Sequence, residues 1–233
     1  MEKAKPQSAA LYSTKSDFAY RTLREKILSG EFVPGQVLNQ ATLARTIGIS
    51  TTPLREALRR LKSENLVELD AHRDARVTEL TAEEARDLLE VRRSLDPLAA
   101  ALAADRRTKA DIAEIRDAAR GVEPLVRDSG VGHLIAHRRL HAAIYRASHN
   151  DLLIATLDGL WDKADRYRRG GLATERSQAE RDEKTAEHAR LVECVVAGDA
   201  EGAAEVMHQH IATSLGAKAA WRLGAPASSR VPH

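Results

Sequence analysis

The sequence predicts a mainly α-helical protein in two parts: an N-terminal winged helix-turn-helix domain and a C-terminal all-α antiparallel helical bundle. Three observations carry this expectation. The 233 residues are 43% hydrophobic and 30% charged but only 3% aromatic, rich in the helix formers Ala, Leu, Glu and Arg. Apolar residues recur at helical spacing along most of the chain, and one short stretch, residues 66–79, alternates as a β-ribbon does. Charge is unevenly divided: residues 1–78 hold 13 Lys+Arg against 9 Asp+Glu, and the remainder holds 23 against 25. A polyanionic partner would therefore meet the small basic part.

Residues 1–14 are polar and without period, which predicts a flexible tail, and residues 224–233 are predicted as another. Between them the winged domain is expected over 15–79 and the bundle over 80–223. The single cysteine, Cys194, excludes an intrachain disulfide. With neither a signal peptide nor an apolar run of membrane-spanning length, the expectation is a cytoplasmic protein without a membrane partner.

Helix one carries Tyr20, Leu23, Ile27 and Leu28 and stops at Gly30. Pro34 and Gly35 prevent its continuation, and Asn39 can cap a second helix bearing Leu43, Ala44 and Ile47, which ends at Gly48. A three-residue turn leads to "TTPLREALRRLKSENLV", where Pro53 is tolerated because first-turn amides have no intrahelical partner. Leu54, Ala57, Leu58 and Leu61 form one stripe of this helix; Thr52, Arg55, Arg59 and Lys62 form the opposite one. "LVELD" and "ARVTE" then read as a two-stranded wing.

A major groove about 12 Å wide admits one helix whose first residues reach base edges. Arg55 is the candidate for bidentate guanine contact, Thr51 and Thr52 for phosphate or thymine methyl, and Arg59 and Lys62 for backbone phosphates. His72 and Arg73 at the wing tip are candidates for an adjacent minor groove. A solvated basic face is the alternative for any one of these residues; the order of elements around them favours double-stranded DNA.

After the wing, "TAEE" at Thr81 predicts a reciprocal capping box. Helical patterns then follow at about 109–120, 132–147, 151–169, 176–197 and 200–222, giving a bundle of six or seven helices. Several polar residues share its apolar stripes. Arg92 lies with Leu88 and Leu95, His137 and His141 with Leu134 and Ile144, and His188 with Leu191 and Val195. His208 and His210 flank the Met207 stripe on opposite sides, and periodicity does not say which turns inward. A buried imidazole needs partners for both nitrogens, and a divalent transition metal satisfies several at once; satisfied core histidines are the other possibility.

"LSGEFVPGQVLNQATLARTIGISTTPLREALRRLKSENLV" resembles the GntR family of bacterial transcription regulators over about 60 residues from Tyr20. The resemblance implies that Arg45, Arg55 and Arg59 contact DNA. It also shows two departures, Thr51 where the family commonly has Arg and Asp74 where it commonly has Gly. "HRRLHAAIYRASHN" and "EHARLVECVVAGDAEGAAEVMHQH" resemble the FCD effector domain of the FadR subfamily, which implies metal ligands at His137, His141, His188 and His210, with His137 replacing the family's Asp. Such an all-imidazole set favours zinc or nickel over manganese.

"LLEVRRSLDPLAAALAA" resembles the segment in which the family places an inward arginine, here Arg92, near its effector; pairing of Arg92 with a carboxylate such as Asp96 is equally open. Together these features predict a homodimeric repressor that reads a pseudo-palindromic operator and responds to a small carboxylate. A metal that is itself the signal, or a metal-dependent enzyme, are the alternatives, the second weakened by the lack of a general-base carboxylate beside the imidazoles.

Overall fold

A computed structural model describes residues 14–69, 74–123, 131–172 and 177–224. The chain divides into two compact units between Glu79 and Leu80.

In the first unit, α1 (Lys15–Leu28) is opened by a reciprocal capping box between Thr14 and Asp17, so Thr14 belongs to the ordered chain rather than to a tail. The strand β1 (Val37–Asn39) leads directly into α2 (Gln40–Ile47), whose first turn is capped by the Asn39 side chain. Gly48 ends α2 at φ 76, a left-handed conformation that a side chain would strain, and this sets the turn into α3 (Thr51–Ser63). Strands β2 (Val67–Leu69) and β3 (Asp74–Val77) follow.

The wing is therefore three-stranded, in the order β1-β3-β2 and antiparallel throughout, not two-stranded as the alternation implied. Three residues are too few to show a period of two, so β1 has no signature apart from its partner. Asp74, the residue at the expected wing glycine, pairs with Asn39 across β1 and β3 and accepts a 3.0 Å hydrogen bond from its side-chain amide. Leu54, Leu58, Leu61, Leu23 and Val77 are fully buried in this unit's core.

The second unit is all-helical among the described residues, with seven helices: α4 (Ala82–Arg106), α5 (Lys109–Arg120), α6 (Val131–Arg146), α7 (Asp151–Leu172), α8 (Gln178–Ala197), α9 (Ala200–Ala212) and α10 (Leu215–Gly224). Its largest core cluster joins alanines of α4 to Ile144, Leu157, Trp161, Val195 and Met207. Small residues on α4 let neighbouring helices approach closely.

Two local expectations are corrected here. The stretch 200–222 is not one helix: Thr213 closes α9, and the Ser214 hydroxyl accepts the Ala217 amide to start α10. The Thr81 box is only half made. Its hydroxyl accepts the Glu84 amide at 3.1 Å, but the Glu84 carboxylate is drawn away to the Tyr167 hydroxyl (2.6 Å) and Lys163 (3.3 Å). A hydroxyl and an ammonium from α7 outcompete a single backbone amide for that carboxylate. Among the described residues no helix is long and apolar enough to cross a membrane.

Candidate nucleic-acid face and candidate metal centre

The amphipathic pattern of α3 is realised in space. Leu54, Ala57, Leu58 and Leu61 are all at 0% exposure, whereas Thr51, Thr52, Arg55, Arg59 and Lys62 are exposed. Arg45, on the preceding helix, is exposed as well. Arg55 is braced: its Nε donates to the Oε1 of Gln40, the largely buried first residue of α2, at 3.3 Å. That contact occupies the inner edge of the guanidinium and leaves the two Nη groups for an outside acceptor.

Arg60 is adjacent in sequence but differently employed, since it donates to Asp17 at 2.7 Å and stacks 3.9 Å over the Tyr20 ring. It ties α3 to α1, and Arg59 remains on the outer face. Gln40 escaped the sequence reading because a contact between two helices leaves no mark in the spacing of either one. His72 and Arg73 lie outside the described residues.

In the helical unit the four singled-out histidines meet. One nitrogen from each of His137, His141, His188 and His210 lies within 4.8 Å of all the others. Periodicity left α9 undecided and the resemblance pointed to His210; the structure turns His210 inward, 4% exposed, and leaves His208 near Arg93 at the surface. Burial is the first cause that pulls all four imidazoles below their ordinary pKa of 6.5, reinforced at His137 by Arg168 and at His141 by the neighbouring rings. His188 is lowered to about 3, so the cluster is neutral at pH 7 and its nitrogens keep lone pairs.

Two of the rings are oriented from behind by groups outside the cluster. The Tyr145 hydroxyl donates to Asp96 at 2.8 Å and lies 3.3 Å from His141 Nδ1, while His210 Nδ1 lies 2.9 Å from Glu187. Burial pushes the Glu187 carboxyl up, but hydrogen bonds from His210 and Lys184 prevail and lower it to about 2. His141 Nε2 is buried with no hydrogen-bond partner among the described residues. An orphaned lone pair inside a neutral imidazole cluster, with a carboxylate and a phenol behind the rings, fits a divalent transition metal.

The cluster opens on a cavity of about 340 Å³. Two guanidiniums flank its Trp161, with Arg92 at 4.5 Å and Arg168 at 4.7 Å from the ring. Arg92 pairs with Asp96 at 2.6 Å, both buried, and also lines the cavity, so the two expectations for it are compatible. Burial alone would weaken its hold on its proton; Asp96 and the Tyr145 phenol outweigh burial and raise it. Arg168 is paired with Asp165 at 2.6 Å and is lowered to about 10 by burial. Sequence reasoning missed Arg168 and Trp161 because each follows the ordinary pattern of α7, and only the packing of α6 and α8 makes them neighbours of the histidines.

Comparison with known proteins rests on both units. The model of the gntR family of bacterial regulatory proteins matches residues 15–77. That of the FCD domain matches residues 87–213, more than half of the chain. The chain belongs to the GntR family and carries an FCD domain. It is a DNA-binding transcription regulator and not an enzyme.

The regulator is 28% identical to the HTH-type transcriptional repressor GlaR of Escherichia coli over 210 residues, 84% of this chain and 92% of that protein. It is 29% identical over 205 residues to the HTH-type transcriptional regulator LutR of Bacillus subtilis, 79% and 92% of the two chains. The solved structure of E. coli McbR/YncC superposes with a TM-score of 0.67 at 26% identity, covering 85% of this regulator and 96% of that chain.

Proposed function

We propose that this regulator is a homodimeric repressor released or engaged by a small carboxylate, which binds in the helical unit against a divalent transition metal. The observation that carries the reading is the orphaned His141 Nε2 at the wall of a cavity flanked by two buried guanidiniums. His137, His141, His188 and His210 surround the ion's place, and their imidazole character suits zinc, with nickel as the other candidate. When bound, the ion supplies a Lewis acid for an anionic oxygen. Arg92, held over Trp161 and paired with Asp96, offers a second cationic contact to the same ligand.

On the DNA side, Arg55 reads a guanine edge, Thr51 and Thr52 meet phosphate or a thymine methyl, and Arg45, Arg59 and Lys62 hold the backbone. His72 and Arg73 extend the contact from the wing tip. A homodimer places two such heads on a pseudo-palindromic operator, and the ligand alters affinity by preferring one arrangement of the heads. The repressor reading is supported by the similarity to GlaR, a transcriptional repressor.

Two measurements test the proposal. Arg55→Ala lowers operator affinity by about ten- to hundredfold at fixed salt, the value of a lost bidentate base contact; unchanged affinity removes Arg55 from the reading face. A thermal-shift screen of small carboxylates with and without added zinc shows metal-dependent stabilisation for the ligand class; stabilisation independent of metal separates the effector from the ion.

A further inference from the structure

The four imidazoles are not equivalent. A guanidinium has only N–H groups to offer, so a ring nitrogen hydrogen-bonded to it must accept. Arg168 Nη2 lies 2.9 Å from His137 Nδ1. The lone pair of that nitrogen is thereby taken up, and the single hydrogen of the neutral ring sits on Nε2, the nitrogen that faces the cluster. There it meets His188 Nε2 at 3.0 Å, which must accept.

The other rings carry the opposite tautomer. The Tyr145 hydroxyl has one hydrogen, and it goes to Asp96 at 2.8 Å; His141 Nδ1 therefore donates to the phenol oxygen, and its Nε2 is the lone pair left without a partner. His210 donates Nδ1–H to the Glu187 carboxylate at 2.9 Å and keeps a lone pair on Nε2. Three rings thus present electron pairs to the centre of the cluster, and one presents a hydrogen. A metal is bound by the first kind and not by the second.

We infer that His137 is not a fourth ligand but a hydrogen-bond donor: the metal is held by His141, His188 and His210, and His137, polarised from behind by Arg168, grips an oxygen anion that occupies the ion's open position. This deepens the metal reading under Proposed function and rests on it. With the His188 lone pair committed to a metal, the His137 N–H would be without its present acceptor and available to an anion. Arg168 is a positioning residue in this scheme, anchored to Asp165 at 2.6 Å, and it determines which tautomer His137 adopts. A three-imidazole site with an open position also leaves room for a ligand, as a closed tetrahedron does not.

The test uses the full chain, stripped with chelator and reloaded with Co²⁺. By competitive titration, His137→Gln, which retains an N–H donor, keeps Co²⁺ affinity within about tenfold of the wild type, and His141→Gln weakens it by more than about a hundredfold, beyond the usual effect of an outer-shell partner. The visible spectrum of the Co²⁺ protein shifts when azide is added, because an exchangeable position is available. In Arg168→Met the His137 proton is free to move to Nδ1, Nε2 coordinates, and the azide response shrinks while Co²⁺ binding is kept. Asp165 remains paired there, since Arg138 also reaches it at 3.0 Å.

Equal losses of affinity in His137→Gln and His141→Gln, or a wild-type spectrum indifferent to azide, overturn the inference and leave the metal reading standing. A wild-type chain that takes up no Co²⁺ overturns both.

Discussion

The two units handle cationic side chains in opposite ways. On α3 of the winged unit the arginines outside the packing stripe are exposed, and even Arg55, braced by Gln40, is held at the surface. In the helical unit Arg92 and Arg168 are buried at 6% and 3% exposure, each with a carboxylate at 2.6 Å. A surface charge costs little to maintain and is felt along a long polyanion, with salt screening it. A buried charge requires a partner and is tolerated where a small ligand is recognised out of water. The difference separates the exposed cationic face of α3 from a cavity lined by buried guanidiniums that are each paired with a carboxylate.

The comparison can be broken most forcefully with pH. The four clustered imidazoles, three of them buried and His188 partly so, have pKa values below the 6.5 of an unfolded histidine, in the case of His188 about 3. As pH falls below 6.5 the unfolded chain takes up protons that the native cluster refuses, each worth about 1.4 kcal/mol per pH unit. Their contribution is whole above pH 6.5 and is lost as pH falls through the lowered native values, about 3 in the case of His188. After chelation, melting of the helical unit shifts downward between pH 7 and 5. The winged unit, residues 15–79, carries a single histidine, His72, against the four of the cluster, so its transition shifts less. Parallel shifts of both transitions, followed by circular dichroism, would show that the cluster is not the cause.

A smaller effect comes from the core of the reading head. Leu58→Ala removes a fully buried side chain and destabilises the winged unit by about 3 kcal/mol, leaving the second transition in place; urea unfolding of the full chain reads both. Smaller still is Arg59→Ala, expected to weaken operator binding evenly across sequences and to reduce the slope of log affinity against log salt by about one unit. A sequence-dependent loss at Arg59 would transfer base reading from Arg55 to its neighbour.

Legibility followed the range of the physics. The face of α3 was readable because a packing stripe and a cationic stripe on one helix are local and periodic, and Leu54, Leu58 and Leu61 stand where the period puts them. The inward histidines of α6 were readable for the same reason. Periodicity could not separate His210 from His208, since each flanks Met207; the resemblance chose His210, and the packing of the neighbouring helices is what turns it inward. β1 was invisible for want of length, and the Thr81 box failed because Tyr167, far along the chain, competes for Glu84.

By itself the sequence determined most element types, the amphipathic face of α3 and the list of imidazoles, since these depend on composition and spacing within single segments. Only the tertiary structure decided that Arg168 stands behind His137, that Glu187 and Tyr145 orient His210 and His141, and that Gln40 braces Arg55. Hydrogen bonds between helices depend on distances of a few tenths of an ångström across packed surfaces, and linear spacing carries no record of such distances.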